Sequence, residues 1–215
     1  MFQAFPKIPR LTKDMVVTEK IDGTNGQIHI FSEKDFFSEA DTPNIIGTVD
    51  VKIDGELFYL GAASRNRYLD QGSDNFGFHA WATKHAQELV DILGPGRHYG
   101  EWWGKGIQRG YGMEDKKFSL FNTGRWRRED EWKPWSVGAA IGLDVVPVLL
   151  GGVPFNTPTV LDLYDSLRTG GSVAAPGFMN SEGVVVYHEG MGKLFKHTGT
   201  NEPKRVFPRG EDKSD

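Results

Sequence analysis

The 215-residue chain contains no cysteine. Disulfides, cysteine-ligated zinc, iron–sulfur clusters and thiol catalysis are therefore excluded. No apolar run approaches the ~20 residues that a membrane-spanning helix needs. The opening stretch MFQAFPKIPRLTKD has no continuous apolar segment and is interrupted by Pro6 and Pro9, so it does not read as a secretory signal. Nor is there an excess of positive charge: 25 Lys and Arg stand against 29 Asp and Glu, a formal net charge of −4. Proteins that coat nucleic acid through bulk electrostatics are normally basic. That class is set aside, whereas an enzyme with a local basic track is not. Together these features fit a cytoplasmic enzyme with one buried core.

Glycine is abundant, 27 residues in all, nearly twice the usual share of about 7%. The glycines are spread along the chain and imply many turns. Residues 15–20 and 26–31 alternate apolar and polar side chains and read as strands. The Asp22-Gly23-Thr24-Asn25 stretch between them carries a hairpin signal. Residues 45–53 and 56–63 read as a second hairpin around Asp54-Gly55. Residues 76–93 place Phe78, Trp81, Ala82, His85, Leu89 and Ile92 at helical spacing, ended by Gly94-Pro95-Gly96. Strands are expected over 97–103, 117–122, 141–150, 184–188 and 193–197. A helix over 157–168 would have Thr157 as its N-cap and Pro158 at its first position. Many strands with few helices predict an α+β fold of antiparallel sheets with flanking helices.

The segment Glu19-Lys20-Ile21-Asp22-Gly23-Thr24-Asn25 carries the clearest chemical signal. Alternation puts Lys20 and Asp22 on one face of a strand end. Gly23 turns the chain and leaves room for a ligand near the backbone. A lysine held this way can attack an electrophilic phosphorus once it has lost its proton. Five further stretches follow in order: Ser64-Arg65-Asn66-Arg67, Tyr99-Gly100-Glu101-Trp102-Trp103-Gly104, Phe118-Ser119-Leu120-Phe121-Asn122, Ser181-Glu182-Gly183-Val184-Val185-Val186 and Lys193-Leu194-Phe195-Lys196-His197. This series resembles the motif set of the covalent nucleotidyltransferases, the group of DNA ligases, RNA ligases and mRNA capping enzymes. The resemblance covers roughly residues 15–200.

The resemblance implies an adenylyltransferase domain over residues 1–200; residues 201–215 read as a charged tail, and the absence of a C-terminal OB or helical domain, which these ligases usually carry, is expected as a departure from the family. It implies ATP as the AMP donor and Mg²⁺ (or Mn²⁺) as the metal. Lys20 would be the nucleophile, with Ile21 beside it in the nucleotide site. Arg65 would contact ribose or phosphate, Glu101 the ribose, and Phe121 would stack on the base. Glu182 would hold the metal and Lys196 would neutralise the triphosphate. Asn25 stands where DNA ligases and capping enzymes typically have Arg. Lys-x-Asp-Gly-Thr-Asn therefore resembles the RNA ligase branch, in which Glu19 would read the adenine edge and Asn25 would serve the sealing steps. The implied partner is nucleic acid with 5′-phosphate and 3′-hydroxyl ends, RNA favoured, and no membrane. The alternatives are a DNA ligase, a guanylyltransferase, or a non-catalytic binding module.

A second departure is visible. The fifth motif usually presents two lysines separated by one residue, and here Leu194 occupies the partner position of Lys196. Arg125-Trp126-Arg127-Arg128, with Trp132 and Trp135, mixes cations and aromatics in a pattern suited to nucleic acid, and equally to a solvated loop. Lys204, Arg205 and Arg209 add charge near the end. The loop Gly104-Lys105-Gly106-Ile107-Gln108-Arg109-Gly110 is glycine-rich and basic but lacks the phosphate-binding P-loop pattern, and reads as a surface loop, with a mobile loop over the nucleotide site as the alternative. The six histidines show no metal-ligand spacing.

Overall fold

The structure, a computed structural model, describes residues 3–32, 48–126 and 138–199. The described residues form ten strands in two sheets, with helices on the outer faces. The strands are β1 (Asp14–Lys20), β2 (Thr24–Ser32), β3 (Val49–Ile53), β4 (Glu56–Ala63), β5 (Gly96–Gly104), β6 (Lys116–Leu120), β7 (Leu143–Val145), β8 (Val148–Pro154), β9 (Gly183–His188) and β10 (Lys193–Thr198). One sheet has the order β10-β9-β1-β8, and all its pairings are antiparallel. The other has the order β3-β4-β2-β5-β6-β7, antiparallel except between β6 and β7. The helices are α1 (Phe78–Lys84), α2 (Ala86–Leu93), α3 (Thr123–Trp126) and α4 (Thr157–Gly170).

Alternation sets which face of each sheet is dry. In β1, Met15, Val17 and Glu19 are buried, while Val16, Thr18 and Lys20 are only partly covered. Met15 and Val17 join Val184 and Val186 of β9 against Val160, Tyr164 and Leu167 of α4, which recur at helical spacing. The six-stranded sheet buries Ile28, Ile30, Leu60, Trp102, Phe118 and Leu120 against α1 and α2. Each sheet thus has a helix-covered back. A third, smaller cluster, Ile21, Trp103, Tyr111, Val146 and Ala175, fills the junction near the end of β1.

The Asp54-Gly55 hairpin forms as expected. Both residues have positive φ, 49° and 83°, between the paired Ile53 and Glu56, which is the geometry that two-residue hairpins favour. Four expectations need correction. Residues 20–26 are not a hairpin, because β1 and β2 belong to different sheets and the Asp-Gly pair lies in a crossover. The apolar run 141–150 is two strands, β7 and β8, one in each sheet; Pro147 sits between them and cannot donate to a ladder. The helix expected over 76–93 breaks at His85 (φ −110°, ψ 25°), which lets both short apolar stripes face the same twisted sheet. Finally, the cap of α4 is Asn156, not Thr157: its side chain accepts from the Thr159 amide at 3.3 Å.

Candidate active site

Lys20 ends β1 directly opposite Gly183 of β9, so the residue before Gly183 falls beside it. The Lys20 Nζ lies 2.7 Å from the Glu182 Oε2, and the two side chains are 22% and 17% exposed. This is a close, partly desolvated pair. The chain then crosses to the six-stranded sheet through Ile21, Asp22 and Gly23. There Asn25 of β2 pairs with Glu101 of β5. The Gly23 amide donates to the Glu101 Oε1 at 3.1 Å. Lys20 and its two glutamates therefore meet where the two sheets meet.

The need for glycine at 23 is steric. A Cβ there would lie 2.4 Å from the Trp102 carbonyl oxygen, 2.8 Å from the Trp103 Cβ and 3.0 Å from the Glu101 Cγ. The side of Gly23 where a Cβ would point is thus filled by β5, while its backbone borders a cavity of about 450 Å³ whose walls also include Lys20, Asn25, Arg65, Arg67, Asn75 and Glu101. That volume is in the range of small-molecule sites, about 300–1,000 Å³.

Burial pushes the Glu101 carboxyl up to about 7, against the opposing pull of the Lys20 ammonium and the Gly23 amide. The unfolded chain returns it to 4.5. Between these values the folded protein holds a proton that the unfolded chain has lost. The associated stability is full below 4.5 and is lost as pH rises through about 7. The size is at most about 3 kcal/mol. Glu101→Gln should flatten this contribution: the melting-temperature gap between variant and wild type should widen in the variant's favour from pH 5 to pH 8. A gap constant across that range would refute the assignment.

The other expected site residues divide into those near the cavity and those away from it. Arg65 is exposed on the cavity wall, and its side chain makes no hydrogen bond or ion pair among the described residues. Its neighbour Arg67 is braced against Ser73, at 2.8 Å to the carbonyl and 2.9 Å to the hydroxyl. Lys196 does not line the cavity. It lies opposite Val185, which lies opposite Thr18, so it shares the Lys20 face of its sheet. Leu194 is on that face too, whereas Lys193 is on the other, so strand parity keeps Lys193 from standing in as the second cation.

Phe121 is 39% exposed and bonds through its amide to the Tyr99 carbonyl. Ser119 lies opposite Glu101, so Phe121, two residues on, emerges on the same front, further from the Lys20 turn. Ile21 is 3% exposed and packs in the junction cluster instead of lining the cavity.

Glu19 has a different setting from the one its resemblance implies. It is 1% exposed. Its carboxylate accepts from the Ser172 hydroxyl at 2.6 Å and from the Val173 and Ala174 amides at 2.8 and 2.9 Å. Burial raises its pKa, and these hydrogen bonds oppose the rise. It is turned to the 172–174 loop and not to the cavity.

Sequence reasoning missed Asn75, whose side chain donates to the Thr24 hydroxyl at 3.0 Å, and did not single out Arg67. A lone Asn in a loop 51 residues away carries no local signal. The Arg109 loop was read as plain surface, yet Arg109 bonds to Asp22 at 2.8 Å. Arg125 donates to the Leu93 carbonyl at 2.9 Å and sits over the Trp126 ring. Arg127, Arg128, Trp132, Trp135, Lys204, Arg205 and Arg209 lie outside the described residues. No cluster of three or more His, Asp or Glu suited to a metal occurs among the described residues.

Solved structures share this two-sheet fold. A mutant RNA ligase of Naegleria gruberi with ATP and Mn is 18% identical, with a TM-score of 0.53 over 87% of this chain and 50% of its own. A second mutant, with AMP and Mn, gives the same identity, TM-score and coverage. A third, apo, gives a TM-score of 0.52. The chain thus spans about half the length of the solved chains it matches. No curated protein sequence matches it. The RNA ligase family matches residues 13–198, most of the chain. The protein belongs to the RNA ligase family. No described helix is long and apolar enough to cross a membrane.

Proposed function

We propose that this chain is the adenylyltransferase domain of an ATP-dependent RNA ligase that works through a lysyl-AMP intermediate. The observation that carries this reading is Lys20, which lines a cavity together with Glu101 and Arg65 and whose amine lies 2.7 Å from the Glu182 carboxylate. The neutral Lys20 amine attacks the α-phosphorus of ATP. A P–N bond forms, the P–O bond to pyrophosphate breaks, and the amine proton leaves toward Glu182 or solvent. A 5′-phosphate oxygen of the nucleic acid then takes the AMP from Lys20. A 3′-hydroxyl attacks that activated end and releases AMP. Each step depends on positioning and on fixed charge at phosphorus.

The placement of the side chains suggests an order for the nucleotide. Phosphates lie between Lys20 and Arg65, with Lys196 approaching on the same sheet face. The ribose lies at Glu101 and the base beyond it, toward Phe121. Glu19 holds the 172–174 loop instead of reading the base. Asn25, opposite Glu101, serves the sealing steps. Mg²⁺ or Mn²⁺ fits this donor set. Magnesium is typically bound by one or two carboxylates together with substrate phosphates, and Glu182 supplies such a carboxylate. When bound it would neutralise charge on the phosphate oxygens.

Incubation with α-labelled ATP or GTP and Mg²⁺, followed by a denaturing gel, tests the reading. Label from ATP and not GTP is expected, and Lys20→Ala should abolish it. Nicked RNA and nicked DNA duplexes then distinguish the substrates, with RNA expected to be sealed faster. Stable labelling of the Lys20→Ala protein would end the proposal.

A further inference from the structure

The loop after β5 holds the catalytic turn from outside the cavity. Residues 104–112 contain six positions of positive φ, two of them not glycine: Gln108 at 46° and Tyr111 at 51°. Such conformations are strained for residues other than glycine and persist only when the surroundings enforce them. Here Ile107 and Tyr111 are 0% and 3% exposed, so the loop is anchored at two points. Between them Arg109 reaches out with three hydrogen bonds. Its Nε donates to the Asp22 Oδ2 at 2.8 Å. Its Nη1 donates to the Asn180 carbonyl at 3.0 Å and to the Asn180 Oδ1 at 2.9 Å. Tyr111 adds a fourth tie, because its hydroxyl accepts the Asp22 amide at 2.8 Å. The Tyr111 ring packs on Phe178 and Trp103, at centroid distances of 4.5 and 5.0 Å.

Asp22 is two residues after Lys20, and Asn180 is two residues before Glu182. One side chain from a third segment therefore bridges the outer flanks of the 2.7 Å pair. The ladder fixes Lys20 only to Gly183, and nothing in the ladder fixes the flanks. We infer that Arg109 is a positioning residue that clamps the Lys20 turn to the Glu182 strand. The inference rests on the ligase reading for the roles of Lys20 and Glu182. The guanidinium fork serves three acceptors on two residues at once, in a way a lysine ammonium on a flexible stem cannot reproduce.

The test compares wild type with Arg109→Ala, Arg109→Lys and Asn180→Ala. Single-turnover lysyl-AMP formation is measured over a range of ATP concentrations. The maximal rate should fall about tenfold or more in both Arg109 variants, since a misplacement of about 1 Å can cost up to about 10²-fold. The half-saturating ATP concentration should move less than about threefold, because Arg109 does not line the cavity. Asn180→Ala, which keeps the backbone acceptor, should give an intermediate loss and guards against an Arg109 variant that fails to fold. Hydrogen exchange, which needs no nucleotide, should quicken at residues 20–25 and 179–183 in Arg109→Ala. A wild-type maximal rate, full rescue by lysine, or unchanged exchange at both flanks overturns the clamp. A wild-type protein that forms no lysyl-AMP sinks the ligase reading instead, while the exchange result still decides the clamp.

Discussion

Glu182→Ala is expected to slow formation of the lysyl-AMP bond by about 10²-fold or more, the range for loss of a positioned acid–base or electrostatic group. Two effects compete at this residue. The 2.7 Å ion pair restrains the Lys20 amine and must be broken before it can attack. The same carboxylate is the nearest acceptor for the departing proton and the best-placed hard oxygen for a divalent ion. Glu182→Gln separates the two. It keeps a hydrogen-bonding side chain of the same size but can neither take a proton nor neutralise a cation. If restraint of the ammonium dominates, Glu182→Gln labels faster than wild type. If proton acceptance and metal holding dominate, it is as slow as the alanine variant. We expect the second outcome. Rapid-quench measurement with α-labelled ATP at several pH values decides it, and faster labelling by the Gln variant would sink the assignment.

Gly23→Ala is expected to cost about 3 kcal/mol, the upper part of the range for overpacking. In a domain of this size that is roughly 6–12 °C of melting temperature. The reason is the nature of the obstacle. The nearest contact, 2.4 Å, is to the Trp102 carbonyl, a backbone atom inside a paired strand. It cannot rotate away as a flexible side chain could. Strand β5 would have to retreat, and Glu101 would retreat with it, away from the Gly23 amide. Activity should therefore fall even at temperatures where the variant is fully folded. Thermal melts with labelling at 20 °C check both parts. A variant that melts within 2 °C of wild type would show that the turn yields more easily than its packing implies.

Much of the fold was legible because its local signals are strong. The alternation of β1, the Asp54-Gly55 turn and the Val160, Tyr164, Leu167 stripe each decide their element without help from elsewhere. The partition of strands between sheets was not legible. Asp22-Gly23 satisfies the pattern of a tight hairpin, yet the chain uses it to pass between sheets, and local composition does not distinguish the two. Pro147 was available as a sign that 141–150 is not one strand. Within the site, the motif order brought Lys20, Arg65, Glu101 and Glu182 to notice, and these do come together. Asn75 and Arg109 act through space from loops without any pattern, so no reading of the chain in one dimension selects them. Glu19 shows the converse: its place beside the nucleophile suggested a ligand contact, while strand alternation sends its side chain to the opposite face, into a cage of three hydrogen-bond donors.

The crossover at residues 21–23 divides the reactive groups by their mechanical attachment. Lys20 ends β1 and Glu182 immediately precedes β9 in one sheet, whereas Glu101 lies in β5 of the other and Arg65 in the loop that follows β4. Any hinge-like rotation of one sheet against the other would leave the nucleophile and its near carboxylate in step, while changing their distance from the ribose-side groups. Breathing of this kind would admit or release a nucleotide without disassembling the amine–carboxylate couple, and the stiffness of the two short joints, at 21–23 and 146–147, would limit how far it can go.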